Sequence, residues 1–158
     1  MGGTCHVPLF AFAVFSALAG SAVAAEPVIV SAAVQSTPDR QMGEEIDRVR
    51  GARGLRRLTP SQPLRSASNR YARWLVLHQR FRHAVSLRPA GFSAVGEVLE
   101  RHRDGGRHVQ RTVRAWMQSP SHRKVLLNPR YQEGGASLFH GRLHDKPVAI
   151  WVLRLGRR

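Results

Sequence analysis

The chain has almost no cysteine. Its single cysteine, Cys5, lies in an apolar stretch near the amino terminus, so the rest of the chain can form neither a disulfide nor a thiolate metal site. The domain must therefore be held together by its apolar core, and about 130 residues suffice to build one. The sequence also lacks HExxH, GxSxG and a glycine-rich phosphate loop, which argues against the enzyme classes that depend on those motifs.

Acidic residues and lysines are also scarce. The sequence has 10 Asp and Glu against 25 Lys and Arg, its only lysines are Lys124 and Lys146, and its formal net charge is +15. Such a charge attracts nucleic acid, anionic lipid or anionic cell-wall polymer. The arginines are spread along the chain, and no basic run alternates with aromatic residues as a base-stacking surface requires. We therefore predict no specific nucleic-acid partner.

The amino terminus is free of charged side chains. Residues 1–25 contain no Asp, Glu, Lys or Arg, and an apolar core over residues 7–19 precedes Ala22-Val23-Ala24. This pattern predicts a secretory signal peptide over residues 1–25, a linker over 26–41 and a secreted or periplasmic domain over 42–158. Because no Lys or Arg precedes the apolar core, an uncleaved membrane anchor is the alternative. After cleavage we expect no stable membrane span.

Helical periodicity dominates the middle of the chain. Apolar residues at i, i+4 and i+7 predict a first helix from residue 42, and Thr59 followed by Pro60 is typical of the start of a second, long helix. We predict a short helix over residues 95–101, a helix over 107–118, and another that Ser119 caps and Pro120 begins.

The end of the chain has strand-like chemistry instead. Two runs, YQEGGASLFHG and KPVAIWVLRLG, are joined by residues 141–147 and predict a hairpin whose second strand is central in its sheet. Helices followed by strands indicate an α+β fold built of packed layers.

Three polar residues stand at the joints between these elements: His83 in RFRHA, Glu97 in AVGEVLE and His122 in SPSHRK. A helix amino terminus disfavours an imidazolium, so His122 suits a metal ligand or a general base, both of which need the neutral ring. The alternatives are a capping role for His122, a solvated cation at His83 and an exposed first-turn carboxylate at Glu97. If the three converge, they form a Zn²⁺ ligand set or a general acid–base group. Separations of 14 and 25 residues leave convergence open.

The remaining candidates have simpler interpretations. Ser119 lies beside His122, but its capping position already explains it. Each tryptophan falls in an apolar pattern and is expected in the core: Trp74, Trp116 and Trp151. Four histidines are expected at the surface: His102, His108, His140 and His144.

The ordered segments EIDRVRGARGLRRL, RFRHA, GEVLE, AWMQSPSHRKVLLNPRYQEGGAS and IWVLRLG resemble the bacterial branch of the CAP superfamily, also called SCP or PR-1-like, over residues 42–156. The resemblance implies a three-layer α-β-α sandwich with a small antiparallel sheet. By motif position, His83, Glu97 and His122 are similar to the family's cavity His/Glu/His group, which binds Zn²⁺ or another divalent cation in some members. Ser119 stands where many eukaryotic members have a second glutamate, so it is expected to line the cavity.

The neighbours of these residues depart from the family pattern. Val98 replaces the usual asparagine after Glu97, Val125 stands where asparagine is common, and Gly134 stands where isoleucine is common. Groups that orient metal ligands are therefore expected to differ, and metal affinity to be weaker.

The resemblance fixes no single reaction, and the function that we expect is that of a binding module with little or no enzymatic activity. Its expected ligand is an envelope lipid or an anionic cell-wall component, and no residue is assigned a catalytic role. The alternatives are a metal-dependent hydrolase with Glu97 as base and a surface adhesin that works by charge alone.

Overall fold

The computed structural model describes residues 37–87, 89 and 91–158. The predicted signal peptide, residues 1–25, lies outside the described residues, as does the predicted linker up to residue 36. In chain order the elements are α1 Pro38–Gly51, β1 Thr59–Pro60, α2 Gln62–Leu77, β2 Ala94–His102, α3 Val109–Gln118, α4 Pro120–Leu126, β3 Glu133–Leu143 and β4 Lys146–Arg157. No helix in this part of the chain is long and apolar enough to cross a membrane.

Helix α1 begins earlier than its apolar stripe. The Thr37 side chain accepts a hydrogen bond from the Arg40 amide, and Pro38 occupies the first turn, where its missing N–H costs nothing. The predicted stripe of Met42, Ile46 and Val49 is buried. The helix therefore starts at Pro38, inside the range predicted as a linker.

The sheet has four strands in the order β1-β3-β4-β2. Strands β3 and β4 form the predicted hairpin, with Leu143 paired to Lys146, and β4 is central as expected. His144 and Asp145 adopt positive φ in the two-residue turn, as tight hairpin turns require. The sheet is not wholly antiparallel, because the two residues of β1 pair in parallel with Glu133 and Gly134.

Side chains of β4 alternate between two cores. One core joins Trp151, Leu153 and Leu155 to helices α1, α3 and α4, and the other joins Val148, Ile150 and Val152 to α2. Since successive side chains of a strand point to opposite faces, α2 covers one face of the sheet and the other three helices cover the opposite face. The expected three-layer α-β-α sandwich is confirmed.

The short helix predicted over residues 95–101 is wrong, because this segment is strand β2. It pairs with β4 along its whole length, from Ala94 opposite Arg157 to His102 opposite Ala149. A Cβ on Gly96 would lie 2.7 Å from the Tyr131 hydroxyl, so this glycine permits a close approach that other residues would block. Tertiary pairing thus overrides the helical preference of Glu and Leu in this segment.

The predicted start of the second helix is also corrected. Thr59 and Pro60 form β1 rather than a helix start, because the amides of Thr59 and Ser61 donate to the carbonyls of Gln132 and Gly134. Helix α2 consequently begins at Gln62, with Ser61 as its N-cap residue.

His102 is buried rather than at the surface. Its Nε2 lies 2.7 Å from the Thr112 hydroxyl of α3, which satisfies the ring inside the protein. Trp116 and Trp151 are buried as expected, whereas Trp74 is only half-buried.

Candidate functional site

The structure places His83 beside both Glu97 and His122. His83 lies on the irregular segment after α2, Glu97 on β2, and His122 in the first turn of α4. The His83 Nδ1 atom is 3.1 Å from Glu97 Oε1, and the ring centroids of His83 and His122 are 6.0 Å apart. The segment that carries His83 thus meets both β2 and α4.

The joint between α3 and α4 places His122 as the sequence predicted. Ser119 has an extended backbone, φ −84° and ψ 119°, and Pro120 begins the next helix. The Ser119 side chain makes no capping hydrogen bond; its hydroxyl lies 3.2 Å from that of Ser121. Its backbone position, rather than its hydroxyl, therefore sets the direction of α4 and of His122.

Glu97 is the most enclosed member of the group, with a side chain that is 1% exposed. Its Oε1 accepts from His83 Nδ1 and from the Ala84 amide at 3.0 Å. Its Oε2 accepts from Arg154 Nε at 3.0 Å and Nη2 at 2.8 Å. Both carboxylate oxygens are therefore committed to protein donors.

Arg154 is a site residue that the sequence reasoning missed. It lies directly opposite Glu97 on the neighbouring strand β4, and its own side chain is 8% exposed. A buried guanidinium opposite a buried carboxylate neutralises it at short range. The one available indication was a single arginine inside the otherwise apolar run VAIWVLRLG.

A divalent cation needs several donor atoms that are not already engaged, and the site offers few of them. Within the described residues, no three His, Cys, Asp or Glu side chains form a ligand group. Glu97 does not fit as a ligand, because its oxygens already accept four hydrogen bonds. The two imidazoles fit better, since Glu97 engages Nδ1 of His83 and leaves Nε2 for another partner, as orienting carboxylates do beside metal-bound histidines.

His122 is disposed to stay neutral. Burial lowers the pKa of its imidazole below the ordinary value, and His83 lowers it further, while Glu100 acts in the opposite direction. A lowered pKa keeps the ring deprotonated, which is the form that binds a metal or accepts a proton. The His83 side chain, by contrast, is 55% exposed, so this end of the site is open to solvent.

An aromatic and basic wall adjoins the ion pair. The Arg154 guanidinium lies 5.2 Å above the Tyr71 ring, and the Tyr71 hydroxyl donates to the Arg82 carbonyl at 2.8 Å. Burial raises the pKa of Tyr71, and Glu97 raises it further, so this hydroxyl remains a donor. A cavity of about 380 Å³ opens here, lined in part by Arg70, Tyr71 and Arg82.

The family model described as the cysteine-rich secretory protein family, CAP, matches residues 44–153. The chain belongs to the CAP family. It carries the CAP fold with one cysteine in the whole sequence, so the fold here does not depend on the cysteine richness in the family's description. No curated protein sequence matches the chain.

Solved structures show the same CAP fold. An outer surface protein from Borrelia burgdorferi superposes with a TM-score of 0.61 at 24% identity, over 75% of this chain and 90% of that one. An extracellular SCP-domain protein from Bacillus anthracis superposes with a TM-score of 0.60 at 19% sequence identity, over 77% of this chain and 40% of that one. Venom allergen-like protein 4 from Schistosoma mansoni superposes with a TM-score of 0.55 at 12% sequence identity, over 78% of this chain and 91% of that one. At these identities the likeness concerns the fold alone.

Proposed function

We propose that this CAP-family chain is an exported, non-enzymatic binding protein whose His83 and His122 side chains hold a divalent cation such as Zn²⁺. The observation that carries the proposal is the contact of Glu97 Oε1 with Nδ1 of His83. It assigns Glu97 the role of orienting His83 rather than of binding the metal. The remaining coordination positions are then available to water or to a ligand.

The exported location is part of the same proposal. It is supported by the apolar, uncharged residues 1–25 and by two of the similar structures, which are described as an outer surface protein and an extracellular protein. The proposed ligand is a lipid or an anionic component of the cell envelope, consistent with the +15 charge.

A metal-dependent hydrolase is less consistent with the geometry. In that mechanism Glu97 would take a proton from metal-bound water. Both of its oxygens instead accept hydrogen bonds from Arg154, His83 and Ala84, and its side chain is nearly inaccessible to solvent. A general base needs an oxygen within hydrogen-bond reach of the reacting water, which this arrangement does not offer.

Zn²⁺ titration calorimetry on residues 26–158 tests the proposal. The residues of both apolar cores lie between Met42 and Leu155, so this chain keeps the whole described core. We expect one Zn²⁺ per chain for the unaltered protein and no measurable binding for His83→Asn/His122→Asn.

The matched control is His140→Asn/His144→Asn, which removes two exposed histidines from the β3–β4 hairpin. Asparagine tolerates the positive φ of residue 144. The control should bind Zn²⁺ as the unaltered chain does. Equal binding by the site variant and the unaltered chain would refute the two-imidazole site and favour the charge-driven adhesin, whose binding depends on salt and ignores His83 and His122.

A further inference from the structure

Exposed apolar side chains are concentrated in one short stretch. Within the described residues, three large hydrophobic side chains are exposed: Leu77 at 74%, Phe81 at 40% and Val85 at 92%. Isolated exposed apolar residues are ordinary on protein surfaces. Three of them at the end of α2 and in the segment that follows indicate a surface with a partner.

Arginines surround these apolar residues. Arg70, Arg73 and Leu77 follow one another at i, i+3 and i+7, so they share one side of α2. The cavity of about 380 Å³ joins this side to the following segment, because Arg82 and Val85 line it together with Arg70. The Arg82 guanidinium lies 5.6 Å above the Trp74 ring, which fixes the segment against the helix.

The surface also lacks negative charge. Residues 48–96 contain no Asp or Glu, whereas arginine recurs throughout them. Glu97, the next carboxylate along the chain, is buried against Arg154. In the part of the chain that the structure describes, no ion pair with a carboxylate involves the arginines of this region: Arg70, Arg73, Arg80 and Arg82. Their charge is therefore available to an anionic partner.

We infer that this surface docks on an anionic phospholipid bilayer. We call it the docking face and define it by Arg70, Arg73, Leu77, Phe81, Arg82 and Val85. Leu77 and Val85 enter the interface between headgroups and acyl chains, while the arginines meet lipid phosphates. This docking rests on the proposed binding function. The bilayer is the binding partner, and it contacts a surface other than the histidine pair.

The side chains of the docking face favour lipid over nucleic acid. Single-stranded nucleic acid binds to exposed aromatic rings on which bases stack. The Trp74 ring is instead stacked on Tyr71 and His78 and covered by Arg82. The partly exposed Phe81 ring has the Arg101 guanidinium 5.0 Å from its centroid. Leu77 and Val85 are aliphatic, so they contribute nothing to a phosphate backbone but gain free energy from an apolar phase.

Docking would also place the histidine pair close to the bilayer. Val85 follows directly after Ala84, whose amide donates to Glu97. His83 lies between Phe81 and Val85 in the chain. The segment that enters the interface is thus anchored by the same carboxylate that orients His83.

Vesicle co-sedimentation of residues 26–158 tests the inference. The probes are vesicles of phosphatidylcholine alone and of phosphatidylcholine mixed with phosphatidylglycerol, at about 0.1 M salt, where surface charges still interact. We expect binding to the mixed vesicles only. Leu77→Ser/Val85→Ser keeps the charge and should weaken that binding about tenfold, because two aliphatic side chains no longer enter the interface.

The charge contribution has a matched control. Arg70→Gln/Arg73→Gln, both on α2, should weaken binding by about tenfold or more, since each arginine near an anionic surface contributes. Arg53→Gln/Arg56→Gln removes the same charge just after α1, the helix that packs on the opposite face of the sheet, and should change binding less than about twofold, because neither residue belongs to the docking face.

Three results would overturn the inference. They are unchanged vesicle binding by Leu77→Ser/Val85→Ser, equal losses for the two arginine pairs, and duplex DNA binding of equal strength that ignores the serine substitutions. His83→Asn/His122→Asn should bind vesicles as the unaltered chain does. A failed Zn²⁺ titration would therefore refute the histidine site and leave the docking face standing, and the reverse also holds.

Discussion

Among the described residues, two arginines are buried on opposite faces of the sheet, and they are stabilised in different ways. Arg50, on the three-helix face, donates to four backbone carbonyls: those of Arg56, Leu126, Asn128 and Tyr131. Arg154, on the α2 face, donates two hydrogen bonds to the Glu97 carboxylate. Burial lowers the pKa of Arg50, which has no carboxylate bound to it, although a guanidinium remains charged.

The difference separates a structural role from a role in the site. Arg50 ties the end of α1 to the chain between α4 and β3, and none of its partners is a candidate functional residue. Arg154 balances a carboxylate that in turn holds His83 and Ala84. Loss of Arg154 therefore reaches the histidine pair, whereas loss of Arg50 stays within the packing of the opposite face.

The largest expected effect is that of Arg154→Met. It leaves the Glu97 charge buried without a cation, which should lower the free energy of unfolding by about 3–5 kcal/mol. Urea unfolding measures the change. Glu97→Leu/Arg154→Met removes both charges and should be much closer to the unaltered chain. A double variant as unstable as the single one would show that the shape of the pair, and not its charge, matters.

The next largest loss of stability is expected for Gly135→Ala, on the α2 face of the sheet. An added Cβ would lie 2.2 Å from the Arg65 amide nitrogen, and a helix backbone cannot move away as a side chain can. Overpacking of this kind lowers the free energy of unfolding by about 1–3 kcal/mol. We expect a loss near the upper end of this range, measured by thermal unfolding.

Gly43→Ala is its counterpart on the three-helix face. An added Cβ there meets nothing within 4 Å, so alanine in α1 should raise stability by up to about 1 kcal/mol. Equal effects of the two substitutions would contradict the closer approach of α2 to the sheet.

Arg50→Met should cost about 1–3 kcal/mol and less than Arg154→Met. Four carbonyls lose a donor, but no charge is left without its partner. Urea unfolding of the two variants side by side makes the comparison. A greater loss for Arg50→Met would reverse the distinction between the two arginines.

The smallest expected effect is the change in stability between about pH 7.5 and pH 5.5. Both arginines stay charged over this interval, so the change comes from other groups. Burial lowers the pKa of His102, and His108 and Arg111 lower it further, against Glu100 and Asp104. The unfolded chain then takes up the proton first as pH falls, so stability is full above the ordinary histidine pKa and declines below it.

The variant His102→Gln should lose less stability over this interval than the unaltered chain. Denaturant midpoints at the two pH values give the comparison. A chain that becomes more stable on acidification would contradict the sign.

Local chemistry was sufficient for some elements. The stripe of Met42, Ile46 and Val49 predicted α1, and Ser119-Pro120 predicted the joint that turns His122 into the site. These features depend on neighbours a few residues away, so periodicity and capping reveal them. The terminal hairpin was predictable for the same reason.

Pairing between residues far apart in the sequence could not be predicted from periodicity and capping. Strand β2 contains helix-favouring residues, and only its nine-residue pairing with β4 makes it a strand. Glu97 was therefore expected in a helical first turn, and its cross-strand partner Arg154 was missed. The meeting of His83 with His122 was suggested by family resemblance, because no spacing rule joins residues on different elements.

The short length of β1 has a consequence for self-association. Strand β3 has eleven residues, and β1 pairs with two of them, so most of the outer edge of β3 has no strand beside it in the described part of the chain. Asp39 Oδ1 accepts from the Leu138 amide at 3.1 Å on this edge, where a strand from a second molecule would otherwise add. Burial raises the pKa of Asp39, so acidification discharges it sooner than an ordinary aspartate. We expect light scattering at neutral pH to be higher for Asp39→Asn than for the unaltered chain, because the substitution removes the charge from this edge.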